Sequence, residues 1–161
     1  MGMKLNWFFC RGVTMRYLLI LSMLCAMMGG ANTAWAESNK ARSPKSKPVT
    51  FVMQMTASEE IQQRRAFLQI SKVLEDIGAD KVNIEVVAYE GGILSLLANN
   101  PGTASLVASL SRQGVKFKAC RISMNASDLT ESDFPLEVEF VPAGAPEMIR
   151  LQMRGAKYWR P

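Results

Sequence analysis

The sequence predicts a single α/β domain on a parallel, or mostly parallel, sheet of about five strands with helices on both faces. Three observations predict it. Short β-prone runs alternate with amphipathic segments from Val49 to the last residues, and that order builds a parallel sheet with crossover helices. Residues 37–161 match the size that one hydrophobic core serves, about 100–150 residues. No internal repeat interrupts the alternation.

The elements follow in order. Val49–Met55 is short, apolar and β-prone, a first strand. Thr56-Ala57-Ser58-Glu59 fits a capping box, after which Ala66, Phe67, Ile70, Val73, Leu74 and Ile77 fall on one helical face. Gly78 supplies the left-handed stop. Val82–Tyr89 alternates Val82, Ile84, Val86 and Ala88 against Asn83 and Glu85, a second strand. Gly91-Gly92 turns the chain, Ile93, Leu94 and Leu97 make a short helix, and Asn99–Gly102 breaks it. Thr103–Arg112 is helical, with Leu106, Val107 and Leu110 on one face. Val115–Cys120 is a third strand. Asn125–Asp133 is a short helix capped by Asn125 or Ser127. Glu137–Val141 is a fourth strand. Pro146 suits the first turn of a last helix running to Arg154, with Met148, Ile149 and Met153 facing inward, and Lys157–Arg160 is a closing strand.

The N-terminus carries a different signal. Lys4, Arg11 and Arg16 form a positive region, Tyr17–Met28 is uncharged and apolar, and Ala34-Trp35-Ala36 offers small residues where a signal peptidase reads. This predicts a secretory signal peptide over residues 1–36 and a periplasmic mature chain. The apolar run is too short for a spanning helix, which needs about 20 residues. Translation starts at Met1 or at Met15, since the segment from Met15 is already a complete signal. Lipidation at Cys25 is disfavoured because Leu24 stands where a small residue should precede the cysteine. Residues 37–48, rich in Ser, Lys and Pro, read as a disordered leader.

Removal of the signal changes the composition. Of 161 residues 125 remain, and of 19 basic residues 16 remain against 14 acidic ones, an excess of two. That excess sits in Lys40, Arg42, Lys45 and Lys47, a solvated leader rather than a nucleic-acid surface. Cys10 and Cys25 leave with the signal, so Cys120 is the only mature thiol, and histidine is absent throughout. This excludes Ser-His-Asp triads, Cys-His pairs, His-based metal centres and structural zinc. No metal or organic cofactor is expected.

Cys120 ends a strand and precedes a helix. Backbone N–H groups and the positive end of a helix dipole there favour the thiolate. Arg121 adds a cation next door, and Lys116 and Lys118 share its strand face. A nucleophilic or sulfur-carrying thiol, a buried packing residue and an intermolecular disulfide all remain open on residue types alone. Glu90, Gly91 and Gly92 form a candidate ligand loop in which the glycines let a backbone approach an anion. A plain tight turn is the favoured reading, and the spaced third glycine of a dinucleotide fingerprint is missing. Glu90 is a candidate acid or base, but one carboxylate in the loop without a partner beside it reads as a surface charge. Met53, Met55, Met148 and Met153 read as core filling. Tyr158 and Trp159 read as packing for an edge or an oligomer interface.

Several segments, in order, carry a resemblance: Ile84-Glu85-Val86-Val87-Ala88-Tyr89 with Gly91; Gly114-Val115-Lys116-Phe117-Lys118-Ala119-Cys120; Val141-Pro142-Ala143-Gly144; and Leu151-Gln152 with Gly155, Ala156, Lys157, Tyr158 and Pro161. Over residues 49–161 the chain resembles the DsrE/DsrF-like family of sulfur-relay proteins, in its exported branch. The resemblance implies a flavodoxin-like sheet and a homo-oligomer, trimer or hexamer. It implies a cysteine that carries sulfane sulfur as a persulfide between donor and acceptor proteins, and Cys120 stands at the matching position. The chain departs from the family just after it: Ile122-Ser123-Met124 replaces an Asn-Thr-Met-like stretch, leaving Ser123 as the hydrogen-bond donor beside the thiol. A non-catalytic oligomeric binding module of the same fold is the alternative.

Overall fold

The computed structural model describes residues 47–161. The expected signal peptide, residues 1–36, and residues 37–46 of the expected leader lie outside the described residues.

The chain runs β1 (Val49–Met55), α1 (Glu60–Ile77), β2 (Val82–Ala88), a 3-10 helix (Glu90–Leu96), α2 (Ala104–Arg112), β3 (Lys116–Cys120), α3 (Arg121–Ala126), a second 3-10 turn (Glu131–Asp133), β4 (Val138–Val141), α4 (Gly144–Met153) and β5 (Lys157–Trp159). The five strands form one sheet in the order β4-β3-β2-β1-β5, and every pairing is parallel. The domain is thus the expected α/β arrangement, consistent with a flavodoxin-like layout.

Handedness explains which face each helix covers. Crossovers between parallel strands are right-handed. The steps β1 to β2 to β3 to β4 all move one way, so their helices share one face. Phe67, Ile70, Val107, Leu110 and Met124 pack there on Met53, Ile84, Val86 and Phe117. The step from β4 to β5 runs back across the whole sheet and places α4 on the opposite face. There Met148 and Leu151 meet Val52 and Val87. With both faces covered, β2 buries Val86, Val87 and Ala88 in succession, as central parallel strands do.

Several local expectations are corrected. The capping box at Thr56–Glu59 is absent: α1 begins at Glu60 after Glu59, whose side chain makes no cap hydrogen bond. A capping box does form at Thr130, which exchanges hydrogen bonds with Asp133. The helix expected at Asn125–Asp133 instead starts at Arg121 and ends at Ala126, because β3 feeds directly into it. On α4, Ile149 and Met153 point outward, 59% and 82% exposed. The inward stripe is Gly144, Glu147, Met148 and Leu151, the i, i+3, i+4, i+7 set. Met153 is therefore not core filling, whereas Met53, Met55 and Met148 are buried. The stripe was obscured because one of its members, Glu147, is charged.

No helix among the described residues is long and apolar enough to cross a membrane.

Candidate functional site

In open α/β sheets, ligands gather outside the carboxyl ends of the strands where successive connections leave for opposite faces. Here the loop after β3 leads to α3 on one face, and the loop after β4 leads to α4 on the other. The switch point therefore lies between these neighbouring strands, at the paired residues Cys120 and Val141. Cys120, a free thiol, occupies it.

Two loops bring donors to its sulfur, and a third braces one of those donors. From the β4 side, the Gly144 N–H donates to Cys120 Sγ at 3.2 Å. Gly144 is needed for this approach: a Cβ there would stand 2.7 Å from the Tyr89 side chain, inside any real contact. From the β3 side, Cys120 itself precedes the first turn of α3, which brings the Ile122 and Ser123 N–H groups and the Ser123 hydroxyl to the sulfur. From the β2 side, the Glu90 N–H donates to Ser123 Oγ at 2.7 Å. The Ser123 hydroxyl accepts there and keeps its own proton to donate toward the thiol. Glu90 makes this contact from the left-handed region, φ +51°, where a residue with a Cβ is strained.

The electrostatic result is a contest. Burial is the largest influence and pushes the thiol up. Hydrogen bonds from the Ser123 N–H and hydroxyl and from the Gly144 and Ile122 N–H groups together outweigh it, so the thiol lies below its ordinary value of 9.0. Donors aimed at a sulfur stabilise its anion over its neutral form. Against this stands access, since Cys120 is only 3% exposed.

The other sequence-derived candidates divide. Ser123 joins the sulfur directly, and Glu90 joins it through its backbone. Arg121 turns to the opposite face, where its guanidinium pairs with Glu131 at 2.5 Å and lies over the Phe140 ring at 5.4 Å. Gly91 and Gly92 serve a close approach between backbones. A Cβ on Gly92 would stand 2.0 Å from the Met55 carbonyl oxygen, and one on Gly91 2.6 Å from Ser58 Cβ. The space beside them is filled by the loop after β1 rather than open to an anion. Lys118, two residues before Cys120 on the same strand face, is buried between Glu85 and Glu147, 2.8 and 2.9 Å away. Lys116 lies exposed at the far end of the strand.

Gly144 is the site residue that sequence reasoning missed. Its signal was the Val141-Pro142-Ala143-Gly144 segment ahead of a helix, which carries the family resemblance but assigns Gly144 no part in the site. Tyr89 is the second. It backs Gly144, and its hydroxyl accepts from Gln54 Nε2 at 2.6 Å, while Gln54 Oε1 accepts from Tyr158 at 2.6 Å. Burial and the neighbouring Glu90 push the Tyr89 hydroxyl up, so it stays neutral. A cavity of about 330 Å³ opens at the ends of β1 and β5, lined by Gln54, Arg65 and Arg160 among others. Cys120 takes no part in it.

Residues 47–159 match the DsrE/DsrF-like family. The chain belongs to that family. It is also similar to a solved structure, the protein of unknown function MTH1491 from Methanobacterium thermoautotrophicum. The two share 28% identity and a TM-score of 0.60, over 72% of this chain and all of that one. No curated protein matches the chain.

Proposed function

We propose that this DsrE/DsrF-like protein is a periplasmic sulfur-handling protein that carries sulfane sulfur as a persulfide on Cys120. One observation carries the reading: the thiol sits at the topological switch point with backbone and hydroxyl donors from two loops directed at its sulfur. A thiol held for packing alone needs no such donors.

The chemistry balances without a cofactor. The Cys120 thiolate attacks the outer sulfur of a donor persulfide or polysulfide. A new S–S bond forms to Cys120, the donor's S–S bond breaks, and its electron pair leaves on the donor thiolate. An acceptor thiolate then attacks the outer sulfur on Cys120, and the Cys120 thiolate departs. No net oxidation occurs. Donors that hold the Cys120 anion make it a better leaving group in the second step and raise its population for the first. Ile122, exposed beside the site, offers a partner protein an apolar contact there. The protein acts as a homo-oligomer, trimer or hexamer, and is exported by a signal peptide cleaved after Ala36.

A second reading rests on one observation. Cys120 is nearly fully buried, which suits a structural thiol in a non-catalytic oligomeric binding module. Intact mass after polysulfide treatment decides between them, with Cys120→Ser as control. The carrier gains about 32 Da per sulfur, reversed by reductant and absent in the control. No gain, together with a thiol that resists alkylation until unfolding, would leave the binding module standing.

A further inference from the structure

Lys118 and Glu147 form a buried ion pair on the face covered by α4. Lys118 Nζ lies 2.9 Å from Glu147 Oε1 and 2.8 Å from Glu85 Oε2 on β2. Arg150 and Arg154 reach Glu147 from the solvent side, at 2.6 and 3.5 Å. Replacing a buried pair of this kind by well-packed apolar residues commonly leaves stability unchanged or improves it, and its best-attested use is to fix register. The placement here is specific. Glu147 stands one helical turn after Gly144 on the same inward stripe, and its N–H bonds to the Ala143 carbonyl at 3.2 Å. Lys118 stands two residues before Cys120 on the same strand face. The ion pair and the Gly144–Cys120 hydrogen bond therefore close a ring between β3 and the first turn of α4. The remaining inward residues, Met148 and Leu151, pack on Val52 and Val87, a non-directional contact that tolerates small rotations of the helix.

We propose that Lys118 and Glu147 are positioning residues for the Cys120 site: their pair locks the first turn of α4 on β3 so that the Gly144 N–H stays on the sulfur. This inference rests on the reading of Cys120 as the working thiol, and it names what regulates that thiol's ionisation.

Charge and position make opposite predictions, which gives the test its force. The charged groups on the elements around Cys120 are Lys116 and Lys118 on β3, Glu85 on β2, Glu90 after it, Glu139 on β4, Arg121 on α3, and Glu147 and Arg150 on α4. Removing the negative Glu147 by charge alone favours the thiolate and lowers the Cys120 pKa. Loosening α4 withdraws a donor and raises it. The experiment is a thiolate titration by ultraviolet absorbance, with no sulfur donor present, on wild type, Glu147→Ala and the apolar pair Lys118→Met/Glu147→Met. Cys120→Ser provides the baseline. The expected result is a Cys120 pKa raised by about one unit in both variants, hence about tenfold less thiolate below it, with cooperative thermal unfolding retained in the apolar pair. An unchanged or lowered pKa in the folded apolar pair would overturn the proposal, as would a lowered pKa in Glu147→Ala. Because no persulfide is formed in the measurement, its outcome is separate from that of the mass experiment.

Discussion

At Cys120 two opposed influences act on one sulfur, and their balance has a consequence for stability. Burial favours the neutral thiol, hydrogen bonding favours the anion, and the net effect holds the thiol below its ordinary value of 9.0. A group whose folded pKa is depressed contributes nothing below that folded pKa. Its contribution grows as pH rises from there to the unfolded value and is complete above it. Denaturant unfolding of wild type beside Cys120→Ala should therefore show a difference that widens with pH up to about 9 and then levels. A difference that stays flat or narrows over that range would contradict the hydrogen-bonded thiolate. Ser123→Ala tests the same balance from the donor side. It removes the hydroxyl but keeps the N–H, so the thiol should titrate higher and alkylate more slowly at neutral pH while the fold persists.

Among the elements, the packing of backbone against backbone decides the site. Gly144 opens α4 with its Cα against Tyr89, and Gly92 sets the first 3-10 helix against the end of β1. Gly144→Ala should cost about 1–3 kcal/mol by forcing the turn away from Tyr89, and the displaced N–H should raise the Cys120 titration as well. Gly92→Ala meets the Met55 carbonyl rather than a side chain. It should cost at least as much, about 3 kcal/mol, with a smaller effect on the thiol per unit of stability lost. Thermal unfolding and thiol titration on the same two variants check this pairing. Equal effects on the thiol would mean that the site responds to general loosening and not to the first turn of α4.

For the molecule as a whole, among the described residues a single helix, α4, covers one face of the sheet, and the outer side of that helix carries apolar side chains beside Arg150 and Gln152. Ile149 and Met153 are exposed there, and Tyr158 is half-exposed on the neighbouring edge strand. If the proposed homo-oligomer uses this surface, Ile149→Asp/Met153→Asp should sediment as a monomer at concentrations where wild type does not. A wild type that is itself monomeric would refute the oligomer. Export is tested separately. The protein recovered from the periplasmic fraction should begin at Glu37 and carry the corresponding mass, whereas a chain that keeps residues 1–36 would refute cleavage after Ala36.

The sequence by itself determined the alternation of strand and helix, and β1 appeared with its observed bounds, because period-two and helical patterning are local properties of side-chain burial. It also singled out Cys120, since one thiol after Val49 and no histidine anywhere leave few groups capable of nucleophilic chemistry. Arg121 was placed beside the thiol by its neighbouring number alone. The start of α3 at that residue turns consecutive side chains to opposite sides, and Arg121 went to Glu131 and Phe140 instead. The inward stripe of α4 was misread because Glu147 looks solvent-facing until Lys118 is known to lie beneath it. Strand order was not legible in local pattern at all. Only the tertiary structure sent β5 back past β1, put α4 on the opposite face, and so brought Gly144, 24 residues on in the chain, to the sulfur of Cys120. That contact depends on the hand and length of a crossover, which no single segment encodes.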